Sequence, residues 1–189
     1  AGRPMFLRID PWGPHPPYCV APPFRGRFDG LSDHLPQNFW SDLAHRPGHH
    51  PGYRDTWNGL GLDEAGWRLL GQRSLEQTAL VEAALNHVLD TRERVGIRDR
   101  TLVIVTADHG DAVASNGGTA NKGGLLVEET VRIPLLMTGP GIAPGQVCEE
   151  LVSNIDIGRT HWPGRPISVL KRFFELVGLT RHQPQPIKS

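Results

Sequence analysis

Cysteine is scarce: Cys19 and Cys148 are the only two in 189 residues, enough for one bridge at most and too few to staple a small secreted scaffold. The compartment is left open. An excess of charge of one sign is also missing, because 20 basic and 20 acidic residues cancel. No nucleic-acid-binding stripe and no strongly charged membrane face is implied, so any anion binding must be local. No apolar run approaches the roughly 20 residues needed to span a bilayer, and no basic, apolar, small-residue signal opens the chain. Ala1 is not an initiator methionine, and the sequence starts as if inside an element, so further residues are expected upstream.

Proline and glycine are what the chain has in quantity, 17 and 22 residues, concentrated in residues 11–63 and 139–166. With 38% hydrophobic residues the chain can bury one sizeable core, and a single domain or a large piece of one is expected. Met5-Phe6-Leu7-Arg8-Ile9 is short, apolar and rich in strand formers, and is expected to be a buried strand stopped by Asp10-Pro11. Residues 12–63 lack periodicity and predict a long lid or binding loop on the substrate side. From about Asp63 to Val95 the pattern becomes helical: Leu70, Leu80, Val81, Ala84, Leu85, Val88, Leu89 and Val95 recur at steps of three and four, and Gly96 follows as a cap. Thr101-Leu102-Val103-Ile104-Val105-Thr106 is apolar without alternation, which predicts a central parallel strand covered on both faces. A second strand is expected over residues 133–137, with Pro134 near its start, and a short helix over residues 173–177. This order favours a three-layer α/β/α sandwich.

Several residues could carry chemistry. Asp108 and His109 follow the central strand, where open α/β sheets place ligands. A carboxylate and an imidazole on adjacent residues can address one ion, with Gly110 permitting the bend; equally, Asp108 could cap a turn and His109 lie on the surface. Lys122, thirteen residues beyond His109, stands in the glycine-rich stretch 116–124 and could hold a sulfate or phosphate oxygen. That stretch is not a P-loop, because Asn121 and Gly123 occupy positions reserved for glycine and Ser/Thr, and a solvated loop lysine is the plainer reading. His15 sits in Gly13-Pro14-His15-Pro16-Pro17, where prolines stiffen its presentation, or it is an ordinary exposed histidine. His45, His49 and His50 have no fixed spacing for a second metal. Tyr53, Arg54 and Trp57 are candidates for lining a substrate entrance, or for a surface loop.

Taken together these segments resemble one family. Residues 6–18, ending in Gly-Pro-His-Pro-Pro-Tyr, are similar to the "GPHPPY" segment of type I sulfatases and their phosphonate monoester hydrolase relatives. Residues 101–111 resemble that family's "TLVIFTSDHGD", and Lys122-Gly123 with residues 128–135 resemble "KG....EETVRVPL". Gly139-Pro140-Gly141-Ile142 and residues 151–157 resemble "GPGI" and "LVSNIDI". The similarity runs in order from about residue 5 to residue 157. It implies an alkaline-phosphatase-like fold, incomplete at its N-terminal side, with residues 1–189 forming part of a catalytic domain. It also implies that Asp108 and His109 ligate one divalent cation, calcium ahead of magnesium or manganese, that Lys122 binds the sulfate, and that His15 contacts the ester oxygen and can act as an acid. The substrate implied is a small-molecule or saccharide sulfate ester.

The chain departs from the family in four ways. The family's nucleophile, a formylglycine made from cysteine in "CxPSR" or in some members a serine, is absent; Cys19 is followed by Val20-Ala21-Pro22-Pro23, without the required arginine, and formylglycine is expected upstream. The two aspartates that the family supplies near its amino terminus for the same metal are missing. Asn116 stands where many relatives carry histidine, with one residue inserted before Lys122. Residues 158–169 interrupt the tail, making residues 158–189 atypical. The fragment is therefore expected to be inactive by itself. Three functions are compatible with the sequence: sulfate-ester hydrolysis by the complete protein, phosphonate monoester or phosphodiester hydrolysis by the same site, and a truncated noncatalytic piece.

Overall fold

Asp63 starts the longest element. The computed structural model describes residues 4–30, 34–58 and 60–160, and they group into two units, one of residues up to 95 together with 109–133, the other of 96–108 together with 134 onward. In the first unit, α1 (His49–Asn58) precedes α2 (Glu64–Arg94). Asp63 caps α2, its carboxylate accepting the Gly66 N–H at 2.8 Å. Glu64 stands in the first turn and Arg92 and Arg94 in the last, each complementing the helix dipole. Gly96, at φ 68°, continues in the left-handed region that ends helices cheaply only at glycine. The start, end and capping of this helix match the sequence expectation.

Its buried residues do not. Trp67, Glu76, Gln77 and Ala79 are buried, whereas Leu80 and Val88 of the predicted apolar face are exposed and Leu70, Val81, Leu85 and Leu89 only half-buried. Trp67 packs with Ala114 and Ala120, backed by Leu35, Phe39, Trp57 and Leu70. A second cluster joins Ala112, Leu125 and Val127 with Tyr53. Both clusters close on residues 112–120 rather than on the leucine stripe. Glu76 is fully buried, ion-paired with Arg73 and accepting the Gly26 N–H at 2.7 Å.

Residues 12–63 are not the unbroken loop that their composition predicts: they contain a 3-10 turn at Gln37–Trp40 and the ten-residue α1. Pro51 sits in the first turn of α1, where the missing N–H costs nothing. Residues 5–9 form no strand; Met5 and Phe6 are 77% and 70% exposed. An apolar β-prone run states a preference for burial, and whether it joins a sheet depends on tertiary context that composition does not encode.

The second unit carries the sheet. β1 (Val103–Thr106) and β2 (Leu135–Thr138) pair antiparallel, with Val103 opposite Thr138 and Thr106 opposite Leu135. Both strands lie where the sequence puts them, and Pro134 immediately precedes β2. The parallel, doubly covered setting expected for β1 is corrected: its only partner among the described residues is antiparallel and its residues are half-buried or exposed. An unbroken apolar run does not encode the direction of its neighbour. Helix α5 (Asn154–Thr160) follows. Helices and a small sheet make the chain α/β. The helix expected at residues 173–177, and residues 161–169 of the insertion, lie outside the described residues.

Candidate anion site

The Pro-rich turn after residue 11 presents His15. Its backbone N–H donates to the Trp12 carbonyl at 3.3 Å, its ring lies 5.3 Å from that of Trp12, and its Nδ1–H donates to the Pro16 carbonyl at 2.7 Å. A carbonyl only accepts, so Nδ1 carries the proton and Nε2 is the atom left for chemistry. His109 is fixed in the same way: Nδ1–H donates to the Gly110 carbonyl at 2.8 Å. The two imidazoles meet edge to face, with centroids 5.8 Å apart. Lys122 Nζ donates to His109 Nε2 at 2.5 Å; a lysine has no acceptor, so this nitrogen offers a lone pair. Three of the four residues singled out in the sequence are thus gathered in the first unit.

Asp108, the fourth, ends the 96–108 segment of the second unit and is exposed. The strand exit before it is tied down by a residue that sequence reasoning passed over. Asn154, at the start of α5, donates through Nδ2 to the Ala107 carbonyl at 2.7 Å and lies 2.9 Å from the Thr106 hydroxyl through Oδ1. Its only sequence signal was membership of the segment resembling "LVSNIDI".

Gly110 matters for a different reason from the one expected. It is not in the left-handed region; a Cβ there would fall 2.0 Å from the Glu129 carbonyl oxygen, and its N–H donates to the Thr130 carbonyl at 2.8 Å. The backbone therefore passes too close to α4 (Glu128–Val131) for any side chain. Residues 112–120, which overlap the glycine-rich stretch 116–124, include the short turn α3 (Ser115–Gly118) and are largely buried. Their backbone groups are paired internally, Ala114 N–H to the Thr119 carbonyl at 2.7 Å and Ala112 N–H to the Asn121 carbonyl at 3.2 Å, which is what permits burial. Val113, Ala114, Asn116 and Asn121 have φ of 35°, 69°, 51° and 62°, strain of order 1–3 kcal/mol each that surrounding structure must hold. Asn116 does not face the histidine pair: it is buried, donating to Ser115 Oγ at 2.9 Å and Glu129 Oε2 at 3.0 Å. Burial raises the Glu129 pKa, but hydrogen bonds from its own backbone, Asn38, Asn116 and Ser115 outweigh it and hold the carboxyl below the usual value.

Tyr53 braces the Lys122 segment, its hydroxyl donating to the Ala120 carbonyl at 2.9 Å. Trp57 packs in the Trp67 cluster and Arg54 bonds Asp55 and the Asp42 carbonyl. Of the other histidines, His50 is buried and its pKa is lowered, chiefly by that burial and secondarily by His49 and Arg46. Among the described residues no three His, Cys, Asp or Glu side chains converge as a metal cage. The donor types nevertheless fit a divalent cation in part: His109 Nε2 carries a lone pair fixed by its tautomer, and Asp108, the preceding residue, bears a hard carboxylate.

On this α/β chain Lys122 thus contacts His109, and His109 in turn meets His15 edge to face. Comparison with known proteins gives the family: the sulfatase family profile matches residues 1–162, and the chain belongs to the sulfatase family. It is 28% identical over 158 residues to the extracellular sulfatase SULF-1 homolog of Drosophila melanogaster, covering 84% of this chain and 14% of that protein. It is 28% identical over 163 residues to the human N-acetylglucosamine-6-sulfatase, covering 84% and 28%, and 24% identical over 160 residues to the choline-sulfatase of Rhizobium meliloti (strain 1021), covering 84% and 31%. The chain thus spans under a third of the length of these relatives. A crystal structure from Bacteroides thetaiotaomicron VPI-5482 assigned to the sulfatases superposes with a TM-score of 0.54 at 22% identity, over 98% of this chain and 35% of that one, a likeness of fold.

Proposed function

We propose that this chain supplies the anion-holding half of a sulfuric ester hydrolase. The observation that carries the reading is the convergence of Lys122 Nζ, His109 and His15 within the first unit. Lys122 provides a compact positive charge with N–H donors for a sulfate oxygen. His15 can exchange a proton only at Nε2, since Nδ1–H is held by Pro16; that nitrogen is the acid for the departing ester oxygen. Asp108 and His109 act as two ligands of one divalent cation, calcium by preference over magnesium or manganese, with the other ligands and a formylglycine nucleophile contributed by residues outside this chain. Such a cation neutralises charge on the sulfate and polarises its sulfur–oxygen bonds. The lone pair it requires on His109 is the one Lys122 addresses in this structure.

The exposed run of residues 5–9 and the half-covered β1 support a larger catalytic domain, completed as a three-layer α/β/α sandwich of the alkaline-phosphatase type by chain beyond these residues. The substrates of the relatives, an N-acetylglucosamine 6-sulfate and choline sulfate by their names, make a saccharide or small-molecule sulfate ester the expected substrate here. The test is turnover by the longest natural form of the protein. Aryl sulfate should be hydrolysed in preference to aryl phosphonate, and Lys122→Ala should lower kcat/KM by about 100-fold, the scale of one lost charged donor. Faster turnover of the phosphonate would transfer the site to phosphonate monoester hydrolysis, and turnover of neither would leave a noncatalytic module.

A further inference from the structure

One carboxylate beside this site has no part in the reading above. Asp111 lies two residues past His109 and is half-buried. Its Oδ2 accepts the Tyr18 hydroxyl at 2.6 Å, and its Oδ1 accepts the backbone N–H of Val113 at 3.0 Å and of Asn121 at 2.7 Å. A carboxylate offers about four lone-pair positions, and three of those on Asp111 are used within the protein. Through Tyr18 it joins the His15 turn to the two ends of the 113–121 loop, which the Ala112–Asn121 and Ala114–Thr119 backbone bonds also hold together. Tyr18 belongs to the proline-braced turn, three residues after His15. Asn121 immediately precedes Lys122, and its own Oδ1 accepts the Lys122 N–H at 2.7 Å. Val113 begins the run of left-handed residues that ends at Asn121, with φ of 35° and 62° at those two positions. The carboxylate therefore closes that strained, buried loop at both ends while gripping the histidine turn.

We propose that Asp111 and Tyr18 are positioning residues that hold the His15 turn and the Lys122 loop against His109, so that one anion meets both at once. The functional consequence rests on the anion-site reading; the geometric claim does not. Without the Asp111 clamp, the Lys122 loop would keep its own backbone bonds and the Tyr53 brace, but its tie to the His15 turn through Tyr18 would be lost. Both side chains would remain present but would no longer be preorganised around one point.

The test uses NMR on the 189-residue chain, with histidine labelled, and two variants. Tyr18→Phe removes one hydroxyl and keeps the ring; Asp111→Asn keeps the shape and alters the acceptor set. With α2 resonances unchanged, the contact between the His15 and His109 rings should weaken several-fold in at least Tyr18→Phe. Inorganic sulfate should bind about ten-fold more weakly, which corresponds to one net charged hydrogen bond. On a His15→Ala background, Tyr18→Phe should add less than about two-fold, because it acts through the residue already removed. An unchanged ring contact in both variants overturns the proposal, as does a full, additive loss on the His15→Ala background. Absence of sulfate binding by the wild-type chain would overturn the anion-site reading alone, and the ring contact would still decide the positioning claim.

Discussion

Lys122 donates to the one lone pair on His109 that the proposed divalent cation would also need, so on that proposal removing the lysine should act in opposite directions on two ligands. Lys122→Ala is expected to weaken sulfate binding by about ten-fold or more while leaving calcium affinity equal or tighter, both read by calorimetry. A parallel loss of both would contradict the shared lone pair. His50 gives a second prediction. Its folded pKa lies below the ordinary 6.5 because burial disfavours the charged ring, so the unfolded state binds the extra proton first as pH falls. Stability is complete above about pH 6.5 and declines below it until the folded pKa is reached. The urea midpoint should drop between pH 7.5 and 5.5, and His50→Gln should flatten that slope; an equal slope in the variant would remove His50 as the cause. At this scale the sequence disclosed the residues with unusual local settings, His15 among prolines and His109 after an apolar strand. Asp111 and Asn154 were not legible, because what they do depends on partners 93 and 47 residues away in sequence.

The elements hold these residues through close backbone approaches as much as through side chains. Gly110→Ala would drive a methyl into the Glu129 carbonyl. The expected outcome is a destabilisation of several kcal/mol, beyond the range of ordinary surface changes, accompanied by loss of the His109–Lys122 contact. A stability within about 0.5 kcal/mol of wild type would show that this backbone passes less closely than described. Removing the Asp63 cap by Asp63→Ala should cost about 1 kcal/mol in chemical denaturation, without touching the site; no loss would mean the cap is not formed. Helix α2 was legible because cap, proline-free interior and terminal glycine agree. The direction of β1 was not, since both pairings tolerate the same apolar run. Helix α1 was hidden by its flanking prolines and glycines, and the stretch 112–120 by a small, polar composition that reads as surface but packs against Trp67.

For the molecule as a whole, the buried and internally bonded backbone of that small-residue stretch should open less readily than the two-stranded sheet. Amide exchange should be slowest at Ala112, Ala114 and Thr119, whose N–H groups bond to buried backbone, and faster across the two-stranded β1–β2 pair, which is marginal by itself. The reverse order would place the stable core elsewhere. That buried stretch also leads into Lys122, so its stability and the Lys122–His109 contact should be lost together. The most direct measurement is a titration of the 189-residue chain with sodium sulfate, observing selectively labelled His15, His109 and Lys122 side chains together. All three should shift along a single binding curve, with His87, exposed on α2, unmoved; separate curves, or movement of Lys122 without either histidine, would contradict a common anion site.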